Sequence, residues 1–324
     1  MDNYTFTSKE IFENWNVNHS QHYSNDPYFL EDCVIVPKWG VYDNGKLQIP
    51  SALQRMNGHL KHNPPLELSE LDYDYEIDEC IYISHMNSGH WGHFITESLA
   101  RFYHVFHNPP TKNILINVFE TGIYLKNLIS ILENLDFNII CIDPNHKNIK
   151  VNRLYFSQPT MINCFQVIDK HIDTLSKYRD LTCEVNSIYN QKVYLSRTKL
   201  SRHKRWTFGE DELESMLKNS GWEVYYFEKL SLSEQLSILS GAKTLTGCLG
   251  SAFHNLMLSP CQPEKVIYLT NNEKDTNPNY ALQDLVLHNE SIYYACQDCL
   301  DRGKGNNKIR NPKKVFEFLE EYSK

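Results

Sequence analysis

The chain has 324 residues, 41% hydrophobic and 12% aromatic, which is material for two cores at the usual domain size of about 150 residues. With 32 basic against 40 acidic side chains the formal net charge is −8, which argues against a nucleic-acid binder, since such proteins neutralise phosphates with a basic surface. No run approaches the ~20 apolar residues of a membrane span. Met1 to Trp15 carries acids where a signal peptide has a basic start and an apolar middle, so the expected location is the cytoplasm.

The opening, to about Trp39, is loop-rich, with short β-like pieces around Cys33 to Pro37 and a turn at Asp43-Asn44-Gly45. Leu71 to Glu79 alternates tyrosine or aliphatic residues with acids; the alternation assigns the acids to a solvated strand face rather than to a metal site. Next comes His90-Trp91-Gly92-His93-Phe94-Ile95-Thr96-Glu97-Ser98-Leu99-Ala100-Arg101. At 100° per residue this segment reads as a helix to Phe106, with His93, Glu97 and His104 in one narrow arc and Arg101 at its edge. A polar stripe on an otherwise apolar helix points to a cleft with a ligand, although His93 and Glu97 alone would also suit an ordinary i, i+4 pair.

A βαβ rhythm follows: strand Ile114 to Asn117, helix Thr121 to Glu133, strands Asn138 to Ile142 and Leu154 to Ser157. A polar helix from Val167 to Val185 leads to the domain boundary, placed at Asp180 to Ser187. The second half then runs strand Lys192 to Ser196, a helix to Lys218 opened by the capping box Thr207 to Glu210, and a strand Trp222 to Glu228. A second capping box, Ser231 to Glu234, opens a helix ending near Gly241. Strand Thr244 to Gly247, helix Ser251 to Leu258, strand Lys265 to Leu269, helix Ala281 to Leu287 and strand Ile292 to Ala295 complete a doubly wound pattern. Asn311-Pro312 caps a last helix to Tyr322 with one apolar stripe, expected to pack back across the domains. The predicted organisation is residues 1–183 as an acceptor-side domain, 184–310 as a nucleotide-sugar-binding domain and 311–324 as that helix.

The turn Gly247 to Asn255 lies where a strand ends and a helix begins, a place where glycines admit a phosphate to free N–H groups. Its weight rises because the chain's basic residues cluster at Arg197, Arg202 and Arg205, just past another strand. Glu210 and Glu234 are explained as capping acids, while Glu228, at a strand end, fits a ribose hydroxyl contact and an exposed strand-end acid equally well. The nine cysteines fit reduced thiols, and Cys296-x-x-Cys299 lacks a second pair for zinc. A metal-dependent hydrolase built on His90, His93 and Glu97 is the rival reading, although the spacing matches no zinc motif and leaves the arginines unused.

Three blocks in order resemble glycosyltransferase family 61: Trp91 to Phe94 with Glu97 and Arg101; Arg197 and Arg205 with Glu210 to Leu213; and Gln235 with Gly247 to Asn255. Leu249 stands where the family usually has histidine, which raises a non-catalytic sugar-nucleotide binder as a further alternative, and Gly209 stands where asparagine is common. The resemblance implies an α/β fold of two Rossmann-like domains facing across a cleft (GT-B type), an inverting mechanism and a nucleotide-sugar donor, with a UDP-sugar the leading expectation. No cofactor or metal is required in that scheme. His93, oriented by Glu97, is the candidate base, with Glu97 itself the alternative. Arg197, Arg202, Arg205, Gly250, Ser251 and Asn255 are expected at the donor, and His90, Trp91 and Arg101 at the acceptor. The expected role is capsule or surface-polysaccharide synthesis, with a lipid-linked acceptor drawing the protein peripherally to the inner face of the membrane.

Overall fold

The computed structural model describes residues 3–15, 17, 26–55, 59–200, 207–301 and 306–324. It is a mixed α/β protein with several sheets, in two compact units: Val17–Thr182, and Met1–Asn16 together with Cys183–Lys324.

The Val17–Thr182 unit is built on a seven-stranded sheet. Four strands are parallel, in the spatial order Ile149–Phe156, Tyr75–Asn87, Asn113–Glu120, Asn138–Ile142. An antiparallel extension through Tyr28–Val36, Gly40–Asp43 and Lys46–Leu47 continues it beyond Ile149–Phe156. Tyr75–Asn87 is longer than the alternating segment foretold: only its first residues face solvent, and Cys80 to Met86 is buried throughout, as a central parallel strand must be. Its register slips between Ile83 and Met86, where His85 takes a positive φ of 60°. Such a bulge bends the strand just before it delivers the His90 segment.

The other unit holds a six-stranded sheet whose five parallel strands lie in the order Glu223–Tyr225, Asn190–Leu195, Ala242–Cys248, Lys265–Thr270, Ile292–Ala295. Numbered along the chain this is 2-1-3-4-5, a doubly wound order whose direction of progression reverses between Asn190–Leu195 and Ala242–Cys248. The chain's start is part of this unit and not of the first: Tyr4–Phe6 pairs antiparallel with Ile292–Ala295. The last helix, Pro312–Tyr322, is capped by Asn311 as expected. It buries Val315 and Leu319 in this unit's own core, with Leu213, Leu217 and Trp222.

The helix Ser8–Trp15 is tied into the same unit through Asp284 on the helix Asn279–Leu287. Asp284 Oδ2 accepts hydroxyls from Ser8 (2.9 Å) and Tyr293 (2.5 Å), and Oδ1 accepts those of Ser291 (2.7 Å) and Tyr268 (3.1 Å). Burial nonetheless pushes the carboxyl up to about 6. Replacing Asp284 by alanine strands these hydroxyls in the core and is expected to cost on the order of 3 kcal/mol in urea unfolding. A change below about 0.5 kcal/mol, the size of an ordinary surface substitution, would show that the network does not anchor the chain's start.

Candidate active site

Both parallel sheets carry their motif residues beyond the carboxyl ends of the strands that flank a reversal of strand order, where open α/β sheets bind ligands. In the Val17–Thr182 unit the flanking strands are Tyr75–Asn87 and Ile149–Phe156. The first leads into the His90 segment and the second towards Asn163. The turn between strand and motif is tight. Ser88 N–H and Oγ both donate to the Glu120 carbonyl, and Ser98 Oγ accepts Asn87 N–H at 2.9 Å. A Cβ on Gly89 would lie 2.0 Å from Glu120 Oε1, and one on Gly122 would lie 2.1 Å from the Ser88 carbonyl.

The motif is not the regular helix its projection foretold. Trp91–His93 is α-helical, Phe94–Ser98 is a π-turn, Leu99–Arg101 is a 3₁₀ turn, and Tyr103–His107 is α-helical again. The changes of pitch dissolve the single polar arc. His104 is buried, and burial, with Lys170 nearby, lowers it to about 4. Arg101 is buried and donates to the carbonyls of Pro50 (3.0 Å) and Ala52 (2.9 Å), so it braces the segment leading to Arg55.

Glu97 is the hub. Arg55 grips it with both arms of its guanidinium, Nε to Oε1 at 2.5 Å and Nη2 to Oε2 at 2.8 Å. Asn163 Nδ2 donates to Oε1 at 2.5 Å, and His93 Nδ1 lies 3.1 Å from Oε2. Burial works to raise the Glu97 carboxyl, but the hydrogen bonds and charges of His93 and Arg55 outweigh it and hold it below the ordinary glutamate value. It is therefore an anion at neutral pH, with its oxygens engaged. The His93 side chain remains 41% exposed, so its ring is open to a partner besides Glu97. With Nδ1 given to the carboxylate, Nε2 is the nitrogen free to accept a proton. His90 stands exposed beside it, ring centroids 6.1 Å apart, and half-buried Trp91 packs on Tyr124.

Arg55 and Asn163 were not foreseen. They lie 42 and 66 residues from Glu97 along the chain, and no local spacing marks them. The metal reading fares poorly, because Arg55 and Asn163 hold the carboxylate a cation would need. Among the described residues no three His, Cys, Asp or Glu side chains are placed to hold one.

In the second unit, Arg197 and the glycine turn meet as the sequence suggested. Arg197 Nη1 donates to the Leu249 carbonyl at 2.7 Å, and a Cβ on Gly250 would sit 3.5 Å from the guanidinium. Leu249 takes part through its backbone, its N–H bonding to Leu269, so this contact does not depend on which side chain stands there. Gly250 is extended at the start of the 3₁₀ helix Ser251–Leu258, and Ser251 follows half-buried. Asn255 lies beneath the turn. It is fully buried and donates to Gln235 Oε1 at 2.6 Å, while Gln235 Nε2 holds the carbonyls of Phe227 and Leu230. That clasp ties the turn to the helix that carries Gln235. Arg202 and Arg205 lie outside the described residues.

Of the two expected capping boxes only Ser231 with Glu234 forms. At the other, Gly209 occupies the cap position with φ 79°, in the left-handed region that glycine and asparagine tolerate, and no side chain caps the helix. Glu210 is instead buried under Arg197, accepting its backbone N–H at 2.9 Å. Replacing Arg55 by methionine leaves Glu97 buried with one fewer counter-charge. The expected loss is roughly 2–3 kcal/mol of stability, the low side for a buried pair because Arg55 is partly solvated, with an upward move of the Glu97 titration measured by carboxyl-carbon NMR. An unmoved titration would mean that Arg55 does not set the carboxylate's charge.

No curated protein matches the chain. The model of the family Glycosyltransferase 61 matches residues 91–268, a span that includes both the His93–Glu97 pair and the Arg197–Gly250 turn. The chain belongs to glycosyltransferase family 61 and is a glycosyltransferase.

Proposed function

We propose that the protein is an inverting transferase of GT-B type that moves a sugar from a nucleotide-sugar donor, a UDP-sugar in the first instance, to a glycan or lipid-linked glycan in capsule or surface-polysaccharide synthesis. The observation that carries this reading is the His93–Glu97 pair, an exposed imidazole backed by a buried carboxylate that is already ionised.

In the proposed reaction His93 Nε2 takes the proton of the acceptor hydroxyl as its oxygen attacks the anomeric carbon. The bond from that carbon to the diphosphate oxygen breaks on the opposite face, so one displacement inverts the configuration. Glu97 keeps Nδ1 protonated and stabilises the imidazolium. Glu97 is the poorer base, because its oxygens are occupied and it is held below the ordinary glutamate value. His90 and Trp91 flank His93 and would contact the acceptor. The departing diphosphate would be received by Arg197 and the backbone at Gly250 and Ser251, with Arg202 and Arg205 adding charge, so that no metal is needed to offset it. The Val17–Thr182 unit then supplies the acceptor chemistry, and the unit holding Arg197 binds the donor. No described helix is long and apolar enough to cross a membrane. A lipid-linked acceptor would bring the protein to the inner membrane face from the cytoplasm.

Replacing His93 by glutamine is expected to lower transfer by roughly 10²–10⁴-fold while donor affinity, measured by calorimetry, stays within about twofold. Normal transfer would remove His93 as the base. Replacing Arg197 by alanine is expected to weaken donor binding by about 10–100-fold, the worth of a charge-assisted hydrogen bond. Unchanged affinity would remove Arg197 from the donor site.

A further inference from the structure

Of the carboxylates on the helix Glu210–Asn219, Glu210 and Glu214 stand one turn apart, and both are spent on the chain that emerges from the strand Asn190–Leu195. Glu214 accepts the hydroxyls of Ser196 and Thr198, each at 2.7 Å, and the Lys218 ammonium and Tyr226 hydroxyl, each at 2.6 Å. Burial opposes its charge, but these donors prevail and hold it at about 2. Glu214 is thus a satisfied anion that fixes the residues on either side of Arg197.

Glu210 differs. It is fully buried, and its Oε1 accepts both the Arg197 backbone N–H (2.9 Å) and the Tyr194 hydroxyl (3.0 Å). Its Oε2 is buried with no hydrogen-bond partner. The groups that face it are Tyr194 and Arg197 from the strand and its exit, Cys248 from the end of the neighbouring strand, and Glu214 from its own helix. Ile309 and Pro312, packed at Gly209, add no titratable group. Among these described groups Arg197 alone brings positive charge. A buried carboxylate with an idle oxygen is costly, and burial accordingly pushes Glu210 up to about 7.

We propose that Glu210 is the positioning residue of the Arg197–Gly250 turn, and that its carboxylate takes up a proton when a nucleoside diphosphate binds there. This rests on the donor reading above. The charge of Arg197 favours ionised Glu210 as long as no anion is bound. A diphosphate on the guanidinium spends that charge and adds its own repulsion. Protonation at the idle Oε2, with the proton drawn from the buffer, relieves the conflict, and Oε1 keeps both of its donors, so the backbone under Arg197 does not move. Donor affinity must then fall as pH rises above Glu210's free value, by about tenfold per pH unit until the bound value is reached.

The test is titration calorimetry of the full chain with UDP-glucose, UDP-N-acetylglucosamine and GDP-mannose, whose diphosphates do not titrate between about pH 6 and 8. Each titration is run in two buffers of unlike ionisation enthalpy. The expected result is net proton uptake at pH 7 for whichever sugar nucleotide binds, and affinity about fivefold weaker at pH 8 than at pH 7, since Glu210 is already about half ionised at pH 7 in the free chain. In Glu210→Gln, binding persists with neither the uptake nor the pH dependence. Binding without uptake in the unaltered protein overturns the proposal and leaves the donor reading intact, as does uptake that survives in Glu210→Gln. Should that variant not fold, the comparison of buffers in the unaltered protein decides alone. Failure of every sugar nucleotide to bind overturns both readings together.

Discussion

A carboxylate as deeply buried as Glu97 can remain ionised only if its neighbours replace the water it has lost, and the candidate catalytic centre is organised around that requirement. Arg55 supplies the charge, Asn163 a further donor, and His93 is more open to solvent than Arg55. The scaffolding follows from it. Arg101 holds the turn that carries Arg55, and the π-turn Phe94–Ser98 places Glu97 beneath the surface while His93 stays above it. The motif's acid and its arginine therefore act in series: one carries the charge, and the other places its counter-charge.

The Arg197 turn rests on the same economy of buried charge, arranged differently. Glu210 and Glu214 reach from one helix to the residues around Arg197, so the strand exit is pinned by carboxylates while the guanidinium lies over Gly250. Both arrangements stand where strand order reverses at the carboxyl ends of parallel strands. There the sheet leaves room for the backbone to splay and for side chains to converge.

Much of this was legible in the sequence. The short apolar runs of the second half, each closed by glycine or a polar cluster, correspond to its parallel strands, and the meeting of Arg197 with the glycine turn followed from placing both at strand ends. Three things were not legible. A 100° projection cannot anticipate the π- and 3₁₀ turns that separate Glu97 from His104, because they are imposed by tertiary packing. The partners of Glu97 come from segments far along the chain. Glu210 looked like a capping acid because Thr207 stands three residues before it, yet Gly209 in the left-handed region turns the helix start so that the acid points inward. Glycine suits this position for the same reason, since it enters that backbone region without steric cost.

The proposed reaction requires the Arg197–Gly250 turn to receive a nucleoside diphosphate without help from a metal. A thermal-shift panel of nucleoside diphosphates and their sugars, with and without chelator, tests it most directly, because a ligand that binds only the folded chain raises its melting temperature. The expected result is a shift by the nucleotides of one base, undiminished by chelator. No shift with any nucleotide, together with loss of stability on chelation, would contradict it.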